Sequence, residues 1–209
     1  MTIRKGQDWG EPGALAADAA VADDDRSAAE LLGTAWSAGG AMPEIGLLGG
    51  DLHRTLGAPH HDASDLRAGR GLRFPMDLGT VRIDGGEPVV FVAHLVATAA
   101  RNGRLWSSRT VTVMNGSHVG PANLGPRAHP NDGRLDVVDG ALPRGERSNG
   151  RRRSLTGTHL PHPDLAERRG AHHVVESSAP LHVRLDGSPV GSGTHLEITC
   201  HPDAWIAVA

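Results

Sequence analysis

Residues 111–140 read VTVMNGSHVGPANLGPRAHPNDGRLDVVDG, and their reading decides the fold. Apolar side chains at Val111, Val113 and Met114 make a short β-type run that stops on Asn115-Gly116. A loop rich in Gly, Pro and Asn follows, then the turn Pro130-Asn131-Asp132-Gly133, then a second β-type run from Leu135 to Val138. Asn-Gly and Asp-Gly pairs between apolar runs mark chain reversals, because these residues accept positive φ and bond to their own backbone. The stretch therefore describes stiff strands whose connecting loops place polar groups within reach of a ligand.

The pattern continues on both sides. Upstream, Met76–Ile83 and Pro88–Val96 flank the turn Asp84-Gly85-Gly86, and Arg109–Met114 leads into the deciding stretch. Downstream, Leu181–Leu185, His195–Thr199 and Trp205–Val208 alternate apolar and polar residues, while 143–169 is basic, turn-rich and unpatterned. Short strands without long intervening helices predict an antiparallel sandwich. Before residue 76 the signals are fewer. Thr2–Lys5 is a strand candidate, and a turn is expected at Trp9–Gly13. Ser27 and Glu30 form a capping pair, Ala28, Leu31, Leu32, Ala35 and Trp36 share a face, and Gly39-Gly40 ends the helix. Trp36 is expected in the core. Ile45–Leu48 is a strand, followed by Gly49-Gly50-Asp51 and a helical turn that stops at Gly57. The fold class expected is α+β, with a β-rich sandwich over 76–209 and a small α/β portion over 1–75.

Composition narrows the function. Gly (28) and Pro (14) are abundant among 209 residues and aromatics make up only 3%, which suits turns and short strands. A formal charge of −3 leaves no general basic footprint, so nucleic acid is not the expected partner. The single cysteine, Cys200, lies in an apolar strand pattern and reads as a buried small hydrophobe. The first residues lack a signal-peptide core, and no run approaches the ~20 apolar residues of a membrane span. A cytoplasmic protein is expected.

Asn115-Gly116, the small-residue loop, Asn131-Asp132-Gly133-Arg134-Leu135-Asp136 and, later, Leu185-Asp186-Gly187-Ser188-Pro189 occur in that order. Together they resemble the C-terminal domain of the diacylglycerol kinase and bacterial lipid kinase family. There a strand ending in Asn-Gly precedes Pro-x-Ala-x-x-x-Asp-Asp-Gly-x-Leu-Asp and, later, a Leu-Asp-Gly-Glu-Pro loop. Met76-Asp77-Leu78-Gly79 is similar to the family's Val-Asp-Leu-Gly strand. Asp51-Leu52-His53-Arg54-Thr55-Leu56-Gly57-Ala58-Pro59 resembles the end of its Gly-Thr-Gly-Asn-Asp segment.

The resemblance implies ATP-dependent phosphoryl transfer to a lipid hydroxyl, with ATP and Mg2+ as cofactors. Asp186 would be the general base. Gly49, Gly50 and Asp51 would contact the nucleotide. Asp132 would hold Mg2+ with the carbonyls of His129 and Arg134, hard oxygen ligands for a hard cation. Two departures stand against turnover: Ser188 replaces the family's Glu, and residues 1–44 show no Gly-rich phosphate loop between strand and helix. They point to a divergent or inactive member with a reduced nucleotide-binding half. The alternative function is a non-catalytic module that binds a lipid or a partner.

Plainer readings accompany each site. Asp186-Gly187-Ser188-Pro189 and Asn131-Asp132-Gly133 are also ordinary turn sequences. His159, His162, His172 and His173 form the best histidine clusters, but Pro161 and Pro163 deny the first pair a regular helix. The arginines at 144, 147, 151, 152, 153, 168 and 169 suit the phosphates of a lipid or anionic membrane surface or of a nucleotide, or are solvated loop charge.

Overall fold

A computed structural model describes residues 9–101 and 104–209. The strand expected at Thr2–Lys5 lies outside the described residues. In chain order the elements are β1 (Glu11–Pro12), β2 (Ala20–Ala22), α1 (Asp25–Ser37), β3 (Glu44–Leu47), α2 (Gly50–Leu56) and α3 (Ala63–Arg67). Next come β4 (Leu72–Ile83), β5 (Val89–Phe91), β6 (His94–Thr98), β7 (Thr110–Met114), β8 (His118–Val119), β9 (Ala122–Asn123) and β10 (Leu135–Gly140). The last are α4 (Arg147–Ser154), β11 (Leu165–Gly170), β12 (His172–Leu185) and β13 (Ser188–Val208).

Eleven strands hydrogen-bond into one sheet, whose main path runs β1-β4-β13-β12-β6-β7-β10-β11. Almost all pairs are antiparallel, so the α+β, sandwich-like architecture is as the alternating strands require. The exceptions are β2 with β3 and β3 with the end of β13, which pair in parallel, as strands followed by helices do. Two large apolar clusters fill the interior. One gathers Leu32, Ile45, Leu52, Met76 and Trp205 between the helices and the sheet, and the other gathers Phe91, Leu95, Val111, Val183 and Ile198.

The expected elements appear with instructive shifts. α1 begins at Asp25 rather than after Ser27, because Asp24 is the cap: its carboxylate accepts from the Ser27 amide (2.8 Å), and the Asp24 amide donates to Ser27 Oγ (3.2 Å) in return. Trp36 packs against the first cluster and its ring lies 4.7 Å from that of His201. The section 143–169 is not all loop, since it contains α4 and β11. The separate runs near the C-terminus merge into two long strands. The register of β13 against β4 breaks between His201 and Trp205, around Pro202 and Asp203, where the alternation also lapses. Cys200 is a buried free thiol, pushed up to about 12 chiefly by burial. Among the described residues, no helix is long and apolar enough to cross a membrane.

Candidate functional site

Asp186 opens the turn between β12 and β13. It and Gly187 have φ of +46° and +80°, consecutive left-handed residues that reverse the chain tightly. The turn aims the Asp186 carboxylate inward, where it accepts from the amides of Val92 (2.8 Å), Ala93 (2.9 Å) and His94 (3.0 Å) at the corner joining β5 to β6. Its own amide donates to the His94 carbonyl (3.0 Å). Only 8% of the residue is exposed. Burial, with nearby Asp25 adding repulsion, pushes the carboxyl up to about 7 against the pull of the three amides.

Asp25 performs a matching task one layer away. Its carboxylate accepts from the amides of Asp51 (2.5 Å) and Leu52 (2.9 Å), the first N–H donors of α2. Burial is the main cause that pushes it up to about 6. Gly50, at φ +95°, permits this approach, since a Cβ there would sit 2.5 Å from Asp25 Oδ1. Asp51 accepts from the Gly120 amide (2.8 Å) in the β8–β9 hairpin. Between Asp51 and Asp186 stands His94, with Nδ1 buried, unbonded and 3.8 Å from Asp51 Oδ2. Burial holds this ring down to about 4, so it is neutral near pH 7. Asp51 and Asp186 thus share one site, together with Asp25 and His94.

A second cluster surrounds Asp77. Its buried carboxylate accepts from the amides of Gly133 (2.6 Å) and Asp203 (3.0 Å), and burial raises its pKa. Asp132 and Asp136 both reach Arg169, which pairs with Asp132 Oδ2 and lies 3.1 Å from Asp136 Oδ1 through Nε. His129 turns its ring onto Trp9 (4.4 Å), and Arg134 is exposed. Asn115 joins the two clusters: its Nδ2 donates to the carbonyls of Asp77 (3.0 Å) and Val92 (2.7 Å).

A family profile described as the YegS C-terminal NAD kinase beta sandwich-like domain matches residues 74–208. The chain belongs to that family. A sequence search of curated proteins finds no significant match. Among solved structures, a diacylglycerol kinase from Bacillus anthracis str. Sterne superposes with a TM-score of 0.54 at 15% identity, covering 79% of this chain and 66% of that one. A second protein of that organism, provisionally named a diacylglycerol kinase, gives 0.62 at 14% identity, covering 90% and 76%. These likenesses are of fold, and the YegS-type chain spans about two thirds to three quarters of those proteins' length.

The family's cofactors can be tested against the side chains present. A phosphate would need free N–H donors at a helix start. In this YegS-type chain the α2 donors are held by Asp25, and Asp24 caps α1 at the strand–turn–helix connection from β2, where the chain carries Asp23-Asp24-Asp25. Mg2+ at Asp132 would compete with the Arg169 guanidinium, already lodged between Asp132 and Asp136. Among the described residues no group of three or more acidic, His or Cys side chains is disposed to hold a metal. Among the described residues, Arg169 and Asp25 already hold these positions, while Asp132 Oδ1 and Asp136 Oδ2 stay buried without a hydrogen-bond partner.

Arg169→Ala should therefore destabilise the protein by about 1–3 kcal/mol, a buried-pair value discounted because Arg169 is partly exposed. Added Mg2+ should then raise the melting temperature of the variant and leave the wild type unchanged. A rise in the wild type as well would defeat this account of Asp132. His94, Asp25 and Arg169 carry the site yet have no motif of their own. The run of three aspartates before an apolar helix is the one hint the sequence offers, and it hints at a cap.

Proposed function

We propose that this chain is a non-phosphorylating member of the lipid kinase family that binds an apolar, lipid-type ligand. The observation that carries this reading is the inward commitment of the carboxylates. Asp24, Asp25 and Asp186 all spend their lone pairs on backbone amides of the same chain. A general base must meet the proton it removes, and Asp186 meets three N–H donors instead. Its pKa near 7 would suit a base, but an 8% exposed carboxylate that already accepts from three amides reads as a structural acceptor.

A place for the ligand lies on the other side of the same turn. A groove of about 760 Å3 runs between α1 and the β12–β13 hairpin, lined by Gly33, Val89, Val90 and Val190 and by the mutually paired Arg26 and Glu30. That volume falls within the range of small-molecule sites. Val89 and Val190 remain 39% and 37% exposed, so the groove leaves apolar surface uncovered. Ser188, where the family has Glu, lines it without adding charge.

Two titrations test the reading. Calorimetry with Mg2+ and ATP should show no micromolar binding, and a fluorescent monoacylglycerol should bind. Gly33→Leu should weaken that probe at least tenfold, roughly 1.4 kcal/mol. The new side chain fills the groove and the helix gains propensity, while Val90 Cγ2, 3.3 Å from the added Cβ, must give way slightly. Phosphorylated diacylglycerol in the presence of ATP would sink the non-phosphorylating half of the proposal. Undiminished probe binding by the Gly33 variant would sink the groove.

A further inference from the structure

We infer that α4 and the turn after it form a docking surface for an anionic lipid bilayer, an interaction separate from the groove beside α1. Five arginines fall within ten residues, at 144, 147, 151, 152 and 153, on a chain whose formal charge is −3. The local cationic density is therefore a patch and not a reflection of overall composition. The arginines elsewhere commonly face acids: Arg70 pairs with Asp65, Arg73 with Glu44, Arg109 with Asp139 and Arg127 with Glu167. On α4 and in the turn before it, among the described residues, Arg144, Arg151, Arg152 and Arg153 enter no ion pair, and the Arg152 side chain reaches Asn149 Oδ1 (3.2 Å). Glu146, the residue just before α4, is taken by His162 Nε2 (2.6 Å). Of the expected basic stretch, Arg168 and Arg169 drop out, because both face the carboxylates of β10.

The helix is mounted with its charge outward. Its inner face, Gly150 and Ser154, is buried, and Gly150 lies so close to Leu142 that a Cβ would meet Cδ1 at 2.3 Å. Arg152 and Arg153 are exposed, and just beyond them Leu155 is 53% exposed, the most uncovered large apolar side chain among the described residues. Free guanidiniums beside a protruding leucine suit a surface that offers phosphates first and hydrocarbon beneath. The patch has no exposed aromatic ring on which a nucleobase could stack, which separates it from a single-strand nucleic-acid platform. The small contact between α4 and β9 also sets this surface beside the hairpin that bonds Asp51.

Flotation with phosphatidylcholine vesicles, with and without phosphatidylserine, tests the inference on the whole chain. Binding is expected only when phosphatidylserine is present, and it should fade as salt shortens the reach of surface charge. The double variant Arg152→Glu, Arg153→Glu should bind at least about tenfold more weakly, since two attractive charges become repulsive. Leu155→Ser should weaken binding a few-fold and leave the salt dependence in place. All three positions are exposed, and an unchanged melting temperature shows that the variants fold. No binding by the wild type, equal binding to uncharged vesicles, or undiminished binding by the double variant would overturn the proposal. Tighter binding to duplex or single-stranded nucleic acid than to the vesicles would overturn the choice of partner.

Discussion

Asp186→Ala is expected to lower the unfolding free energy by roughly 3–5 kcal/mol, because three buried amides lose the carboxylate they donate to. The amides of Val92, Ala93 and His94 all end on this one carboxylate. Alanine also fits poorly at φ +46°, which aspartate and asparagine tolerate. Asp186→Asn keeps the turn and one acceptor, so its penalty should be smaller, about 1–3 kcal/mol. Its dependence on pH carries the more telling result. The carboxyl is raised to about 7, so the folded state binds the proton more tightly than the unfolded chain does. That contribution is fully present below the ordinary carboxylate range and is lost as pH rises through about 7. Asparagine has no such contribution. The stability gap between wild type and Asp186→Asn should therefore be wider near pH 5 than near pH 8, as read by urea unfolding at each pH. A gap that stays constant would mean the carboxyl is not raised by burial. The comparison must be made between the two proteins, because His94 and His159, both held near 4, act in the opposite direction in the wild type and the variant alike.

Asp77→Ala is the second large effect, expected at roughly 2–4 kcal/mol from two orphaned amides and a small cavity. The carboxylate ties the Asn131-Asp132-Gly133 turn to β13 at Asp203, a residue that itself sits at φ +50°. Loss of the tie should loosen both segments before the sheet gives way. Hydrogen exchange at Gly133 and Asp203 should speed up under conditions where the β7 amides stay protected. Trp205, whose Nε1 donates to the Asp77 carbonyl (3.2 Å), supplies a fluorescence signal for the same region. Stability within about 0.5 kcal/mol of wild type would show that Asp77 is incidental to the turn.

What the sequence revealed of the fold followed from local chemistry. Asn115-Gly116, Asp186-Gly187 and the alternation from Leu181 to Leu185 are turn and strand signals that act within a few residues, and each element stands where they indicate. β11 was not legible because Leu-Ala-Glu-Arg-Arg-Gly has no apolar alternation, and the strand is fixed by its pairing with β10 and a bridge from Leu165 to His162. α4 escaped because it is nearly all polar and its Glu146 cap makes no side-chain bond. α1 was found but started late, since Ser27 is the reciprocal member of a box whose cap is Asp24. The site was harder still. Asp25 meets Asp51 across 26 residues, Asp186 meets Val92 across 94, and Arg169 meets Asp132 across 37. Such partnerships are set by the stacking of strands, and no spacing along the chain announces them. The motifs drew attention to Asp186 and Asp132 without revealing what they face.

Arg169 between two aspartates, and Asp25 at the start of α2, have a thermodynamic consequence. In a protein whose anionic turn waits for a cation, or whose helix start waits for a phosphate, the solute binds only the native form and mass action draws folding along with its concentration. Here the counter-ions are covalently part of the chain, present at a fixed effective concentration whatever the surrounding solution holds. At these two places the partner folds with the chain, so a dissolved solute adds nothing to that pairing by mass action.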